Sequence, residues 1–249
     1  MTPDLVAQLS VEGRACYAEP LDDDTFALLE GSWREGFRRT GQTIARATAT
    51  FLPPLRPTKI IGIGANFPGD EATPGVPSFF IKSPTAVTAH LTAIRLPPVF
   101  RSALAEGELG VVLREGGRNV SRLQAADLIL GYTIVNDLSG RDPTLEVVPP
   151  AAKKSADTFA PMGPYLNLDP TLRTFDILTR KNGEDVQRGN TRDLIFDIAE
   201  CLSFISTIVT LEPFDVIAMG TPPPKPKLVA GDEVSVAISG LGTLTNWVE

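Results

Sequence analysis

The chain has 249 residues, enough for one large domain or for a small domain attached to a larger one. Hydrophobic residues make up 43% and charged residues 21%, a balance that is typical of a globular protein and excludes a disordered or collagen-like chain. The formal net charge of −7 argues against general binding to nucleic acid or to an anionic membrane, because both need a dense field of Lys and Arg side chains.

Other compositional features point to a cytoplasmic protein. The N-terminal stretch MTPDLVAQLSVEG lacks the basic start and apolar core of a signal peptide, and the chain has no run of about 18 apolar residues. Cys16 and Cys201 are far apart and unsupported by other cysteines, so the sequence predicts neither a disulfide framework nor a zinc cluster.

Residues 1–56 predict a small N-terminal region. A short strand is expected near residues 11–17, followed by an acidic turn at residues 22–24 and a mixed segment. Prolines at 53, 54 and 57 mark the end of this region, because proline lacks a backbone donor and fixes φ. The larger unit is expected to span residues 57–249.

Four apolar segments of the larger unit predict strands. KIIGIG (59–64) is a β-branched run bounded by glycines and predicts a buried strand. FFIK (79–82), ELGVVL (108–113) and YTIVND (132–137) predict three more.

Two helices and further strands complete the pattern. Ser121 with Gln124 three positions on forms a capping box, which predicts a helix that Gly131 ends. A second helix is predicted over about 191–210, where apolar side chains share one stripe. The later segments DVIAMG, EVSVAI and LTNWV alternate like antiparallel strands. These elements predict a mostly β, mixed α+β fold.

Two acids on one predicted strand suggest a site. Glu106 and Glu108 are separated by one glycine, so on a strand they point to the same side, roughly 6.5 to 7 Å apart. Leu109, Val111 and Leu113 take the opposite face. Taken alone, this pattern also fits a strand whose acidic side simply faces water.

Asp137 strengthens the case for a metal. It ends the apolar strand YTIVND, where a charged residue leaves the core. Three converging acids would repel one another, and at least one would have to take up a proton unless a divalent cation were bound. Ligands that are all oxygen favour Mg²⁺, Mn²⁺ or Ca²⁺ over zinc.

The same region resembles a known family. GYTIVNDLSGRD (131–142) resembles the G-Y-T-x-x-N-D-x-S-x-R-D signature of the fumarylacetoacetate hydrolase superfamily. The resemblance covers nearly all of residues 57–249, and it implies a mixed β-sheet roll or sandwich around a metal pocket and a homodimer. Other segments follow in the family's order: KIIGIGANF, FFIKSPTAV, EGELGVVL, KSADTFAPMGPYL, NGEDVQRGNTRDLIF, LEPFDVIAMGTP and AGDEVSVAISGLGTLTN.

The resemblance also implies roles for individual residues. Glu106, Glu108 and Asp137 match the three metal-binding carboxylates, with Mg²⁺ as the expected ion and Mn²⁺ or Ca²⁺ as alternatives. Lys154 matches a lysine that approaches the bound substrate, although from the residues alone it also fits a solvated surface lysine. The positions matching substrate-binding residues are Asn66, Arg141 and Thr221, of which Thr221 also fits a turn residue before Pro222.

The sequence departs from the family near the active site. Where relatives carry a catalytic histidine in a motif similar to N-Y-x-x-H, this chain has N-F-P-G-D, so Asp70 takes the histidine's place and Glu71 follows it. Asp70 is interpreted either as the catalytic base or as a cap of the following turn. His90, the one histidine, lies outside the expected position and is interpreted as structural.

Two further departures leave the substrate open. Thr144 stands where some relatives have a glutamine that contacts substrate. PPPKPK (222–227) replaces a turn that usually contains glycine.

The expected activity follows from the metal site. An ion that chelates a small 2-oxo or 1,3-dicarbonyl acid stabilises an enolate, which suits C–C bond hydrolysis of acylpyruvate-like or fumarylacetoacetate-like acids, oxaloacetate-type decarboxylation and keto–enol tautomerisation. The family pattern favours hydrolysis. The missing histidine keeps decarboxylase and tautomerase as close alternatives, because a histidine base chiefly serves water activation. A non-catalytic binding or assembly protein with the same fold is the alternative of another class.

Overall fold

The computed structural model describes residues 3–69, 75–142, 144, 149–169, 172 and 174–249. Within these ranges, none of the helices has both the length and the apolar character needed to span a bilayer. The described helices are α1 (Arg122–Ala125), α2 (Pro150–Lys154) and α3 (Ile198–Ile208). The described strands are β1 (Leu5–Val11), β2 (Arg14–Pro20), β3 (Thr25–Ser32), β4 (Gly36–Ala45), β5 (Ala49–Leu52), β6 (Ile60–Gly64), β7 (Ser78–Lys82), β8 (Val87–Thr88), β9 (Ala93–Ile94), β10 (Ser102–Leu104), β11 (Gly107–Leu113), β12 (Ile129–Asn136), β13 (Ser139–Arg141), β14 (Ala160–Asn167), β15 (Asp176–Lys181), β16 (Glu184–Asn190), β17 (Val216–Ala218), β18 (Lys227–Leu228), β19 (Glu233–Ile238) and β20 (Gly242–Val248).

The N-terminal strands form an antiparallel meander. β1 to β4 pair in chain order, and β5 returns to pair with β1. Glu12 and Gly13 form the β1–β2 turn with φ values of 49° and 79°, a left-handed pair that suits a two-residue hairpin. The single strand predicted at 11–17 is therefore wrong, because it crosses this turn.

The N-terminal meander joins the rest of the fold through β1. Leu5 pairs with Asn167 of β14, so both parts share one twelve-stranded sheet. The division into regions 1–56 and 57–249 stays a prediction.

The central part of this sheet carries the predicted strands. Its order is β14-β12-β11-β17-β6-β7, with β6 and β17 parallel and the other neighbours antiparallel. The strands predicted at 59–64, 79–82, 108–113 and 132–137 are confirmed as β6, β7, β11 and β12, with ends that differ by at most three residues. Every residue of β11 is buried, so the alternative of a strand with one face in water is wrong.

A second sheet, of order β16-β15-β19-β20-β9, covers one face of β11. Leu109 and Val111 of β11 share a buried core cluster with Ile177 of β15, Val236 of β19 and Leu202 of α3. The core therefore lies between the two sheets and α3, and the opposite face of β11 carries the glutamates. The mostly β architecture expected from the sequence is confirmed.

Both helix predictions are confirmed in type and corrected in length. The capping box of Ser121 and Gln124 is present, but α1 has only four residues before a 3-10 turn at residues 126–128. α3 begins seven residues later than the predicted start at 191, because the Asp197 side chain accepts from the Glu200 N–H at 2.8 Å and caps it there.

Candidate metal centre and active site

Three buried carboxylates converge where β11 begins and β12 ends. Gly107 pairs with Asn136, which brings the flanking residues Glu106 and Asp137 together. The Asp137 N–H donates to the Glu106 carbonyl at 2.8 Å. One ligand oxygen from each of Glu106, Glu108 and Asp137 lies within 4.8 Å of the others, so the group could hold a metal ion.

Hydrogen bonds fix the two glutamates. Glu106 Oε1 accepts from Ser139 Oγ at 2.5 Å and from Lys154 Nζ at 2.9 Å. Glu108 Oε2 accepts from the Gly220 N–H at 2.8 Å. The glutamates are therefore held by different partners, one by side chains and the other by backbone.

Lys154 is part of this site. Only 6% of its surface is exposed, so the alternative of a solvated surface lysine is wrong. Its ammonium binds Glu106 and Asp137 and lies 4.7 Å from the centroid of the Phe80 ring. Its place at the end of α2, where β13 contacts that helix, brings it beside the acids.

Lys82 also reaches the site, although it was not among the residues predicted from the sequence. It ends β7, is fully buried, and donates to Asp137 Oδ1 at 2.5 Å and to the Leu138 carbonyl at 3.2 Å. The available signal was a lysine at the end of the apolar strand FFIK, where a charge needs a buried partner.

The pKa shifts describe a site with excess negative charge. Burial, and then the charges of Asp137 and Glu106, raise the pKa of Glu108 well above its usual value. Burial would also raise the pKa of Asp137, but Lys82 and Lys154 outweigh it and lower that pKa. The two lysines thus stabilise Asp137 as an anion, while Glu108 would gain from a further positive charge. A hard dication fits this oxygen-only donor set.

Asn66 holds the surrounding backbone together. Its Nδ2 donates to the Phe196 carbonyl at 3.2 Å and to the Met219 carbonyl at 2.9 Å, and its Oδ1 accepts from the Phe196 N–H at 2.8 Å. Met219 precedes Gly220, whose N–H binds Glu108. Asn66 therefore supports the turn behind the acids, and its role in substrate binding stays a prediction.

Thr221 and Arg141 lie near the same centre. Thr221 follows Gly220, is buried, and accepts from Gln187 Nε2 at 3.0 Å. Gln187 was not predicted from the sequence, because a buried amide in a strand carries no local signal. Arg141 ends β13, is half-buried, and donates to the Gly140 carbonyl at 3.1 Å. The substrate-binding roles of Thr221 and Arg141 stay predictions.

The remaining candidates lie elsewhere or outside the described ranges. Asp70 and Glu71 are outside the described residues, so both interpretations of Asp70 stay open. His90 Nδ1 accepts from the Thr245 N–H at 3.0 Å, and its ring packs edge-on to Phe51 at 4.8 Å. These contacts are those of a histidine that packs in the core.

Comparison with known proteins agrees with the fold. Residues 59–249 match the family described as fumarylacetoacetate (FAA) hydrolase C-terminal. Over 79% of its length the chain is 39% identical to the oxaloacetate tautomerase YisK of Bacillus subtilis, and the match covers 71% of that protein.

Solved structures extend the similarity to the whole chain. The 5-carboxymethyl-2-hydroxymuconate delta-isomerase from Mycobacterium smegmatis has a TM-score of 0.88 and 32% identity, and the match covers 98% of each chain. The fumarylacetoacetate hydrolase of Exiguobacterium antarcticum has a TM-score of 0.87 and 26% identity, with 98% of this chain and 99% of that one covered. The chain therefore belongs to the fumarylacetoacetate hydrolase family.

Proposed function

We propose that this chain is a divalent-metal-dependent enzyme that moves a proton next to the carbonyl group of a small 2-oxo acid, as a keto–enol tautomerase or isomerase. The observation that carries the proposal is the buried group of Glu106, Glu108 and Asp137, with the Lys154 ammonium bound to two of them.

The three carboxylates would hold the ion. Their all-oxygen donor set suits Mg²⁺, Mn²⁺ or Ca²⁺. When bound, such an ion withdraws electron density from a chelating 2-oxo acid and acidifies the carbon beside its carbonyl group.

Lys154 supplies a fixed positive charge at the same place. Burial would lower its pKa, but Asp137 and Glu106 outweigh burial and raise it, so Nζ keeps its proton at neutral pH. An ammonium held in this way stabilises negative charge that develops on a substrate oxygen. Its contacts also orient Glu106 and Asp137, so Lys154 both positions the carboxylates and faces the reacting acid.

The chain's single histidine already has a backbone partner, and this favours proton transfer over hydrolysis as the reaction. The chain has one histidine, and its Nδ1 is occupied by the Thr245 N–H. Hydrolysis needs a base that activates water. Tautomerisation also needs a base to accept the proton of the carbon beside the carbonyl group, but a bound ion would acidify that carbon, so a weaker base than histidine suffices. The similarity to a tautomerase and to an isomerase supports the same choice.

C–C bond hydrolysis is the second candidate. It is favoured by the similarity to the Exiguobacterium fumarylacetoacetate hydrolase along the whole chain. Asp70, at the sequence position where the family pattern has histidine, would then take the role of base.

One set of assays separates these activities. Purified protein is stripped with a chelator, supplied with Mg²⁺, Mn²⁺ or Ca²⁺, and tested for oxaloacetate tautomerisation, oxaloacetate decarboxylation and acylpyruvate hydrolysis. We expect metal-dependent tautomerisation to be fastest, to be lost in Glu108→Gln, and to be kept in Glu115→Gln, which alters an exposed glutamate just beyond β11. Faster hydrolysis would make the chain a hydrolase, and no turnover with any ion would favour a binding protein.

We also propose a homodimer, on the resemblance to the family alone. Light scattering coupled to gel filtration measures the mass in solution. A single species with the mass of one chain would contradict this proposal without affecting the chemistry.

A further inference from the structure

The proline-rich segment PPPKPK (222–227) lies along the strand that leads to the acids. Leu104 at the end of β10 pairs with Lys227, and the Ala105 N–H donates to the Pro226 carbonyl at 2.9 Å. The next position along this register sets Lys225 opposite Glu106. Lys225 Nζ lies 3.9 Å from Glu106 Oε2, so the segment brings another cation to the edge of the site.

Gln187 of β16 holds the segment in place. Gln187 Nε2 donates to the Pro224 carbonyl at 2.8 Å and to Thr221 Oγ1 at 3.0 Å. Prolines on both sides of Lys225 fix their φ angles and reduce the freedom of the backbone. Lys225 therefore projects from a stiff support, which lowers the entropic cost of using its ammonium in binding.

Two more cations share this edge. Arg141, Lys153 and Lys225 are all half-buried. Burial, and then the charges of Arg141, Lys154 and Lys225, lower the pKa of Lys153, although Glu106 acts in the opposite direction. Arg141 ends β13, which pairs with β10 on the side opposite β18, and Lys153 lies on α2, which contacts β13. An anion bound beside these cations would be stabilised by their charges.

We propose that Lys225 is the specificity residue of this site, whose ammonium binds the distal carboxylate of a 2-oxo dicarboxylic acid. This inference rests on the proposed function, in which the 2-oxo acid end of the substrate binds at the carboxylate centre. Arg141 and Lys153 line the same edge and add to the attraction. The site then discriminates a diacid from a monoacid of similar length, because only the diacid presents a second negative charge to Lys225.

The variants to compare are Lys225→Met, which removes the charge and keeps the length, and Lys225→Arg, which keeps the charge. Lys227→Met is the matched control, since Lys227 belongs to the same segment and is exposed. The probes are oxaloacetate and 2-oxobutanoate with Mg²⁺-saturated protein. Exchange of the protons beside the keto group with D₂O, followed by NMR, reports enolisation of both acids.

We expect Lys225→Met to lower kcat/KM for oxaloacetate by about 10- to 100-fold, the loss of one charge-assisted contact, chiefly through KM. The value for 2-oxobutanoate should change by less than about twofold, and Lys225→Arg should recover part of the loss. Lys227→Met should behave as wild type. Equal losses for both acids, or no loss for either, would overturn the assignment.

Calorimetry keeps this test separate from that of the proposed function. Binding of 2-oxoglutarate and of 2-oxobutanoate to Mg²⁺-loaded protein is measured without requiring turnover. If the wild type shows no exchange with any acid, the proposed function fails, but a preference for the diacid that disappears in Lys225→Met still supports the role of Lys225. Absence of any preference in the wild type contradicts it.

Discussion

Lys82 Nζ lies 2.5 Å from Asp137 Oδ1, and both side chains are almost completely removed from solvent. Lys154 binds the other oxygen of the same carboxylate, so two ammonium groups hold Asp137 from opposite oxygens. Burial lowers the pKa of Lys82, and the charge of Asp137 opposes that effect. Each member of the pair therefore keeps its charge through contact with the other. Lys82 also fixes the orientation of the Asp137 carboxylate relative to the two glutamates.

Lys82→Met should destabilise the metal-free protein by about 3 kcal/mol, because removing one partner of a buried pair leaves a charge without full compensation. Lys181→Met is the control, since its pair with Asp232 is partly exposed and should contribute less than about 1 kcal/mol. Urea unfolding followed by circular dichroism measures both. Similar losses of stability in the two variants would show that burial does not increase the contribution of the Lys82–Asp137 pair.

Glu108→Gln should leave the metal-free protein as stable as wild type or more so. Burial and the charges of Asp137 and Glu106 raise the pKa of Glu108, and a neutral amide removes that repulsion while still accepting from the Gly220 N–H. Affinity for Mg²⁺ should fall by more than about 100-fold, beyond the usual loss for an outer-shell partner. Calorimetric titration with Mg²⁺ measures the affinity, and unchanged binding would remove Glu108 from the ligand set.

The convergence of Glu106, Glu108 and Asp137 was predictable, because each inference uses only neighbouring residues or neighbouring strands. Alternation along a strand puts Glu106 and Glu108 on one side, and a polar residue after an apolar strand places Asp137 at its end. Antiparallel pairing of two strands joined by a short helix then brings these ends together. Three converging carboxylates then predict an oxygen-ligated ion, because their mutual repulsion needs a compensating cation.

The lysine and amide partners were not predictable in the same way. Lys82 lies on β7, which pairs only with β6 among the described strands. Its contact with Asp137, which follows β12, therefore depends on tertiary packing rather than on the pairing of their strands. Gln187 bonds to Thr221 across about 34 positions, which no local pattern encodes. Glu12 and Gly13 were missed as a turn because a glutamate at positive φ is uncommon, unlike the asparagine of most such turns.

His90 provides a pH prediction with a single-residue readout. Burial, and to a smaller extent the charge of Arg46, lower its pKa from 6.5 to about 4. Between these values the unfolded chain binds more protons than the folded one, so the contribution of His90 to stability is present above pH 6.5 and is lost as the pH falls toward 4. The loss is at most about 3 kcal/mol, reduced by the imidazole's remaining contact with water.

Since the chain has one histidine, its imidazole gives one set of NMR signals. Their titration should have a midpoint near pH 4, and His90→Gln should flatten the pH dependence of urea unfolding between pH 4 and 6.5. A midpoint near 6.5 would mean that the contacts with Thr245 and Phe51 do not keep the ring from water.

Gly107 sets the spacing of the two glutamates through the packing behind them. A Cβ at this position would lie 2.7 Å from Thr179 Oγ1 on β15 and 2.8 Å from Val236 Cγ1 on β19, closer than side chains can approach. Gly107→Ala should therefore push β11 away from the second sheet and destabilise the protein by about 1–3 kcal/mol.

The same displacement should weaken Mg²⁺ binding, because it moves Glu106 and Glu108 relative to Asp137. Gly64→Ala is the matched control: it lies on β6, and its added Cβ would come no nearer than 3.8 Å to Ser78 Oγ. Thermal unfolding with and without Mg²⁺ measures both effects, and the Mg²⁺-dependent rise in Tm should shrink only in Gly107→Ala. If that variant loses stability but keeps the full rise, the carboxylates hold their positions independently of the sheet contact, and the glycine between them serves packing alone.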